Sequence, residues 1–256
     1  NIKSGKAYRG INVFLLSISG HGSAYWGTFK QWKEQGAKIR KGSKGTHIVF
    51  WSPIVKKDKA TGEETDRFMM CKGYVVFNAD QCDEVPEKFI KSDDVKPQSF
   101  DDLKHAESLI TATGIQITHT DAGKAFYTPA LDSVQLPNKA NFKATKTSTA
   151  AECYYSTAFH EIGHATGHKN RLNRDLNNRF GDQAYAAEEL IAELCAAYMC
   201  QTTGVSQSVR ADHSQYIKSW LKVLKNDKNA IFTASSAAQK AADWIIEQSE
   251  EMKAAA

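Results

Sequence analysis

Nowhere in these 256 residues does an apolar run approach the roughly 18 residues that a membrane span needs. A membrane is therefore not among the expected partners. The chain opens at Asn1 rather than Met, and no secretory signal stands at its start as given. Cysteine is sparse and shows no pairing pattern: the five residues at 71, 82, 153, 195 and 200 are odd in number and include no Cys-x-x-Cys pair. Cys195 and Cys200 lie in or at the end of an apolar helical stretch and read as core thiols, and a reducing cytoplasm is the simplest compartment. Internal repeats and low-complexity tracts are also lacking. What remains is ordinary for a globular chain, with 41% hydrophobic and 24% charged residues. The length suits one large domain or two modest ones, each able to bury a core.

Acid is what the first part of the chain lacks. Residues 1–77 hold 14 Lys and Arg against 5 Asp and Glu, whereas the whole chain carries a formal charge of only +4. A basic first domain and an acidic second one are hidden in that average. Residues 85–97 contain Pro86 and Pro97 among mixed charges and read as a linker. The expected domains are residues 1–90 and 98–256.

In the first domain, basic and aromatic side chains interleave: Tyr8, Arg9, Tyr25, Trp26, Phe29, Lys30, Trp32, Lys33, Lys38, Arg40, Lys41 and Lys44. Flat rings stack on unpaired bases while Lys and Arg follow phosphates, a combination that favours single-stranded over duplex nucleic acid. Trp26, Phe29 and Trp32 also have helical spacing, which speaks for a buried stripe, and about half of the aromatics are expected inside. The contact set expected for DNA is Tyr8, Arg9, Tyr25, Lys30, Trp32, Lys33, Lys38, Arg40, Lys41 and Lys44, with Tyr25 and Trp32 as the first stacking candidates. Helices are expected over residues 10–19 and 28–35, the second capped by Thr28 and stopped by Gly36. Residues 42–45 read as a turn, 46–55 and 68–77 as paired strands, and 56–65 as a polar hairpin loop.

In the second domain, one short run concentrates the chemistry. His160-Glu161-Ile162-Gly163-His164 reads His-Glu-x-x-His on a helix. Helical spacing puts His160 and His164 one turn apart on one face, where both can reach a single Zn²⁺. Glu161 stands beside them as a candidate general base. A hydrolytic zinc site takes three protein ligands and one open position. Residues 184–198 lack Gly and Pro and carry apolar residues at helical spacing, with Leu190, Ile191, Leu194, Ala197 and Tyr198 as the expected buried stripe. Glu189 and Glu193 share a face of that helix, so one can ligate while the other orients a ligand histidine. Upstream, residues 125–127 and 132–137 read as two short strands. The segment 149–159 is polar and aromatic and leads into the His-Glu-x-x-His helix, for which Gly167 is an expected end.

His-Glu-x-x-His followed by Glu-x-x-Ala-(Asp/Glu) resembles the Glu-type zincin metallopeptidases. The resemblance implies Glu189 as third ligand, Ala192 as the small residue and Glu193 as the carboxylate behind the ligands, here Glu where Asp is more usual. The metzincin pattern does not fit, because position 170 is Asn. His168 is read as structural or orienting rather than ligating. In a zincin, a sheet with an edge strand flanks the cleft, where an extended peptide can pair.

Taken together, Tyr8-Arg9-Gly10-Ile11-Asn12, Thr28-Phe29-Lys30-Gln31-Trp32, Gly36-Ala37, Lys41-Gly42, Phe77-Asn78, Gln81, the His160–His164 motif, Arg171-Leu172-Asn173-Arg174 and Glu188 to Glu193 resemble the ArdC-type antirestriction proteins of conjugative plasmids. The first part is also similar to the accessory region of some plasmid primases. The resemblance implies an α+β protein of two domains, a small α+β domain for single-stranded DNA and a zincin-like metallopeptidase domain. It further implies protection of incoming plasmid DNA from restriction. One divalent ion is expected, zinc first, with manganese compatible with a His₂Glu set. Two functions stay open. One is a metallopeptidase localised by DNA and acting on a protein substrate. The other is a protein that protects single-stranded DNA by coating it and whose metal site is structural or inactive. Glu161 favours the first, since a structural site needs no base.

Overall fold

The structure is a computed structural model that describes residues 1–57, 64–90, 99–101, 103–145, 148–176, 183–205, 227 and 229–255. It divides into two compact units, Asn1–Asp93 and Asp94–Ala256. Both combine helices with sheet, so the class is α+β.

The first unit begins with α1 (Ile11–Ser17), β1 (Trp26–Gly27), α2 (Phe29–Glu34) and β2 (Lys38–Ile39). Thr28 caps α2: its hydroxyl accepts the Gln31 N–H while the Gln31 side chain accepts the Thr28 N–H, a reciprocal capping box. Gly36, at φ 85°, carries the chain out of the helix in a conformation open to glycine. The strands β3 (Thr46–Lys57) and β4 (Glu64–Asn78) form a long antiparallel ribbon, with Ile48 opposite Tyr74 and Phe50 opposite Lys72. β1 adds to the far end of β4, giving the order β1-β4-β3. β5 (Cys82–Asp83) pairs with β2. The expected hairpin loop 56–65 falls mostly outside the described residues.

Two expectations are corrected here. Residues 85–89 are not linker. Phe89 is buried and sets its ring edge-on against Trp32 at 5.7 Å, inside a core with Ile2, Ala37, Ala79 and Cys82. The rest of the expected linker, 91–97, lies outside the described residues. Nor do Trp26, Phe29 and Trp32 form one helical stripe. Trp26 belongs to β1 and Phe29 opens α2 at 62% exposure.

The second unit starts with α3 (Lys104–Ala112) and a sheet of β6 (Gln116–Thr120), β7 (Phe126–Thr128) and β8 (Ser133–Pro137). β6 runs parallel to β8, and β7 runs antiparallel to it at the edge. Three helices complete the unit: α4 (Ala150–Ala165), α5 (Gln183–Thr203) and α6 (Ala230–Ala255). α5 packs between α4 and α6, and α3 also packs on α6. The buried side chains include Tyr154, Tyr155, Phe159, Ile162, Leu190, Leu194, Met199 and Ile245. α5 is buried on more than one face: Ala192, Cys195, Ala196 and Cys200 join the core, while Ile191 and Ala197 are only half-buried. The segment 149–159 is helix itself, because Thr149 and Glu152 form a second capping box that starts α4 ten residues ahead of His160. No helix among the described residues is long and apolar enough to cross a membrane.

Candidate metal centre and nucleic-acid surface

α4 and α5 touch where both are smallest. A Cβ on Gly163 would stand 3.2 Å from the Ala192 Cα and 3.4 Å from the Ala192 carbonyl oxygen. Without that side chain the two backbones come close enough for carboxylates on α5 to reach the histidines on α4.

The result is a converging triad. The Nε2 atoms of His160 and His164 face each other at 3.2 Å. Glu189 closes the triangle, with its Oε2 3.6 Å from His160 Nε2 and its Oε1 3.6 Å from His164 Nε2. Two imidazole nitrogens on one tetrahedral zinc, at about 2.0–2.1 Å each, stand about 3.3 Å apart. The spacing therefore fits a shared divalent ion. Two imidazole nitrogens facing one another beside a carboxylate make a donor set suited to a cation.

The outer nitrogens are held as well. His160 Nδ1 lies 3.5 Å from Glu193 Oε1, and His164 Nδ1 lies 3.2 Å from Glu188 Oε1. A carboxylate behind each ring favours the tautomer with Nδ1 protonated and Nε2 free to bind. Burial opposes a charge on His160, yet Glu189, Glu193 and Glu161 outweigh it and push the ring up to about 9. Burial likewise raises Glu189, but His160, His164 and Tyr185 overcome it and hold the carboxyl below its usual range. The field at the triad thus favours positive charge.

Glu161 is buried, which raises its pKa against the opposing pull of His160 and His164. Its carboxylate accepts the backbone N–H of Tyr127 in the edge strand β7. A cleft of about 310 Å³ opens here, lined among others by Phe126, Tyr127, His160, Glu161, His164 and Glu189. Two carboxylates, two imidazoles and a strand edge thus share one cavity. His168 stays out of the triad and lies 3.6 Å from Asp132.

The expected DNA contacts are placed less uniformly. Arg9, Tyr25, Lys30, Lys33, Lys38, Arg40, Lys41 and Lys44 are exposed. Lys38 is paired with Glu84 at 2.6 Å, Arg40 with Asp83 at 3.3 Å, and Lys30 reaches Glu34 at 3.9 Å. Among the described residues Lys33, Lys41 and Lys44 make no ion pair. Tyr8 is half-buried, with its hydroxyl accepting from Asn1. Trp32 is a correction: it is 0% exposed, and its indole N–H donates to the Phe77 carbonyl at 2.8 Å. Its helical position turns it into the core, so no base can stack on it. Exposed rings that the sequence did not single out lie on the ribbon: Phe50, Trp51 and Tyr74.

Comparison with known proteins accounts for both units. Residues 1–77 match the N-terminal domain of anti-restriction factor ArdC, and residues 104–237 match the zincin-like metallopeptidase family MPTase-PolyVal. The chain belongs to the ArdC antirestriction family. The structure of ArdC from plasmid R388 in its metal-free form aligns with a TM-score of 0.75 at 39% identity, covering 97% of this chain and 88% of that one. Its Mn(II)-bound form aligns at 0.67 and 36%, covering 96% and 90%. The protein y4eC of Sinorhizobium fredii is 39% identical over 97% of this chain and 80% of its own. Two Escherichia coli proteins named DNA primase TraC are 36% and 34% identical over 96% of this chain, which spans only 24% and 17% of theirs.

In this ArdC-family chain, several supporting residues escaped the sequence reading. Arg174 donates to both Glu188 oxygens, to the Gly163 carbonyl at 2.8 Å and to the Thr166 hydroxyl at 2.9 Å. It ties the end of α4 to α5 and holds Glu188, on which its charge lowers the pKa despite burial. Arg171 pairs with Asp132, which also accepts from the Tyr127 hydroxyl at 2.8 Å. That pairing fastens the β7–β8 turn beside the cleft. The ArdC-like segments 171–174 and 188–193 contained these residues, but nothing in their spacing assigned the contacts.

Proposed function

We propose that this ArdC-family protein binds single-stranded DNA through its first unit during conjugation and carries a zinc-dependent peptidase site in its second. The observation that carries the enzymatic reading is the pair of Nε2 atoms 3.2 Å apart, closed by Glu189 with Glu161 alongside in the same cleft. His160, His164 and Glu189 are the ligands, and Glu193 and Glu188 orient the two rings. Zinc is the expected ion, and the Mn(II) held by the R388 relative supports a divalent one. An ion held by His160, His164 and Glu189 would supply Lewis-acid polarisation of a carbonyl and activation of a water. Glu161 is placed to take a proton from an attacking water and would return it to the leaving amine. Burial, which raises its pKa, favours proton uptake at this carboxylate. The edge strand β7 offers backbone groups to an extended peptide beside the triad. The basic first unit, and the presence of the same stretch in proteins named DNA primase, support DNA as the partner that localises the activity.

The test is metal analysis with a proteolysis assay on casein, for wild type and Glu161→Gln, with and without single-stranded DNA. The variant should keep its metal and its fold and lose cleavage by at least about a hundredfold. Antirestriction activity that survives the change intact would favour protection by coating, with a metal site that serves structure.

A further inference from the structure

The β3–β4 ribbon is open on both faces, with Trp51, Met69 and Val75 exposed on one and Phe50, Lys72 and Tyr74 on the other. On this second face, cross-strand neighbours follow each other in order: Thr46 with Val76, Ile48 with Tyr74, and Phe50 with Lys72. At its base, Ile48 and Val76 are buried with Leu16 and Trp26. Opposite Ile48 and beyond it the face turns to solvent. Tyr74 is 44% exposed and Phe50 is 56% exposed, and their rings meet edge to face at 6.4 Å. Lys72, also exposed, stands directly opposite Phe50. Two aromatic rings on a strand pair, exposed next to a lysine, offer a surface on which a ligand can lie.

We propose that Phe50, Tyr74 and Lys72 form the shelf on which unpaired bases of single-stranded DNA stack. The proposal rests on the reading of the first unit as a single-strand binder and says where the bases lie. Ring faces take bases of any identity only when those bases are unpaired, which excludes a duplex as occupant. A protein partner would bury the rings in an interface centre, where Lys is depleted. Here the lysine sits at the rings, where a backbone phosphate would follow a stacked base. The surroundings agree in sign, with 14 Lys and Arg against 5 Asp and Glu over residues 1–77. This location also replaces the one expected at Trp32, whose ring lies in the core.

The test uses the full chain and a fluorescent oligothymidylate, with affinity read by anisotropy over a range of salt. Phe50→Leu and Tyr74→Leu keep apolar bulk and remove the ring. Each should weaken binding about tenfold and leave the salt slope unchanged, while Tyr74→Phe should bind like wild type. Lys72→Gln should reduce the slope by about 0.7. Wild-type affinity in both leucine variants, or an unaltered slope in Lys72→Gln, overturns the shelf while leaving single-strand binding standing. A wild-type chain that does not bind the oligonucleotide overturns the single-strand reading and the shelf with it.

Discussion

The α4–α5 pair and the β3–β4 ribbon use side chains in opposite ways. Around His160 and His164 the polar groups are enclosed and held: each Nδ1 faces a carboxylate, Glu188 is fixed by Arg174, and Glu161 accepts from a backbone N–H. On the ribbon, Phe50 and Tyr74 face solvent on a pair of strands that needs neither ring to stay paired. The contrast separates two kinds of site. A metal centre demands groups placed within tenths of an ångström, so it sits between packed helices. The proposed stacking surface demands only accessible faces, and the ribbon presents Phe50 and Tyr74 to solvent. Substitutions should therefore act on metal and stability in the helix pair, and on ligand affinity alone in the ribbon.

The largest effect is expected at the ligands. His160→Ala and Glu189→Ala should each reduce bound metal from about one equivalent to near none by elemental analysis, whereas Phe50→Leu should retain it. Full occupancy in Glu189→Ala would transfer the ligand role to Glu193 or another group. Next comes Glu188→Gln, which weakens the hold on His164 without removing a ligand. Metal affinity should fall about 10- to 100-fold in a competition titration. An unchanged affinity would mean that the Glu188 contact serves only the loop through Arg174.

A smaller change is expected at Gly163. An added methyl meets the Ala192 backbone, which cannot rotate away. Gly163→Ala should cost about 1–3 kcal/mol in denaturant unfolding. Tyr74→Leu, on the exposed ribbon, should stay within about 0.5 kcal/mol of wild type. Equal losses in the two would erase the distinction drawn here between enclosed and open sites.

The smallest effect concerns acid. Burial raises the Glu107 carboxyl, but Lys139 at 2.8 Å and Tyr155 at 2.9 Å outweigh it and leave the pKa below the usual glutamate value of about 4.5. A depressed folded pKa means stability that is present above about 4.5 and is lost as pH falls through the folded value. Glu107→Gln should remove that part of the acid limb in a melting series below pH 4.5, and the ribbon variants should leave the limb as it is. A limb unchanged by Glu107→Gln would assign it to other carboxylates.

Much of this arrangement was legible along the chain because its causes are short-range. The cap at Thr28 binds residues three apart and was expected, whereas the same kind of box at Thr149 was not singled out. His160 and His164 share a face because a helix turns in 3.6 residues. Glu189 and Glu193 follow the same rule on α5. Charge counting found the basic first part without any knowledge of its fold. The strand pair was visible too, but which of its residues the rest of the unit covers was not. Residues 46–55 are apolar almost without alternation, so Phe50 reads like Ile48 although only the latter is buried.

Sequence alone determined that two imidazoles and a neighbouring acid would stand on one helix, and that a second helix would present two more acids one turn apart. It could not decide which carboxylate reaches which nitrogen. That depends on how near α5 comes to α4, and the approach is set by Gly163 against Ala192. Nor could it place Glu188, one position from Glu189 and so turned about 100° around the helix. Glu188 reaches His164 where Arg174, on the loop after α4, meets its carboxylate. The fates of Trp32 and Phe50 were likewise decided by packing. A ring's burial is set by neighbours distant in sequence, and local periodicity carries no record of them.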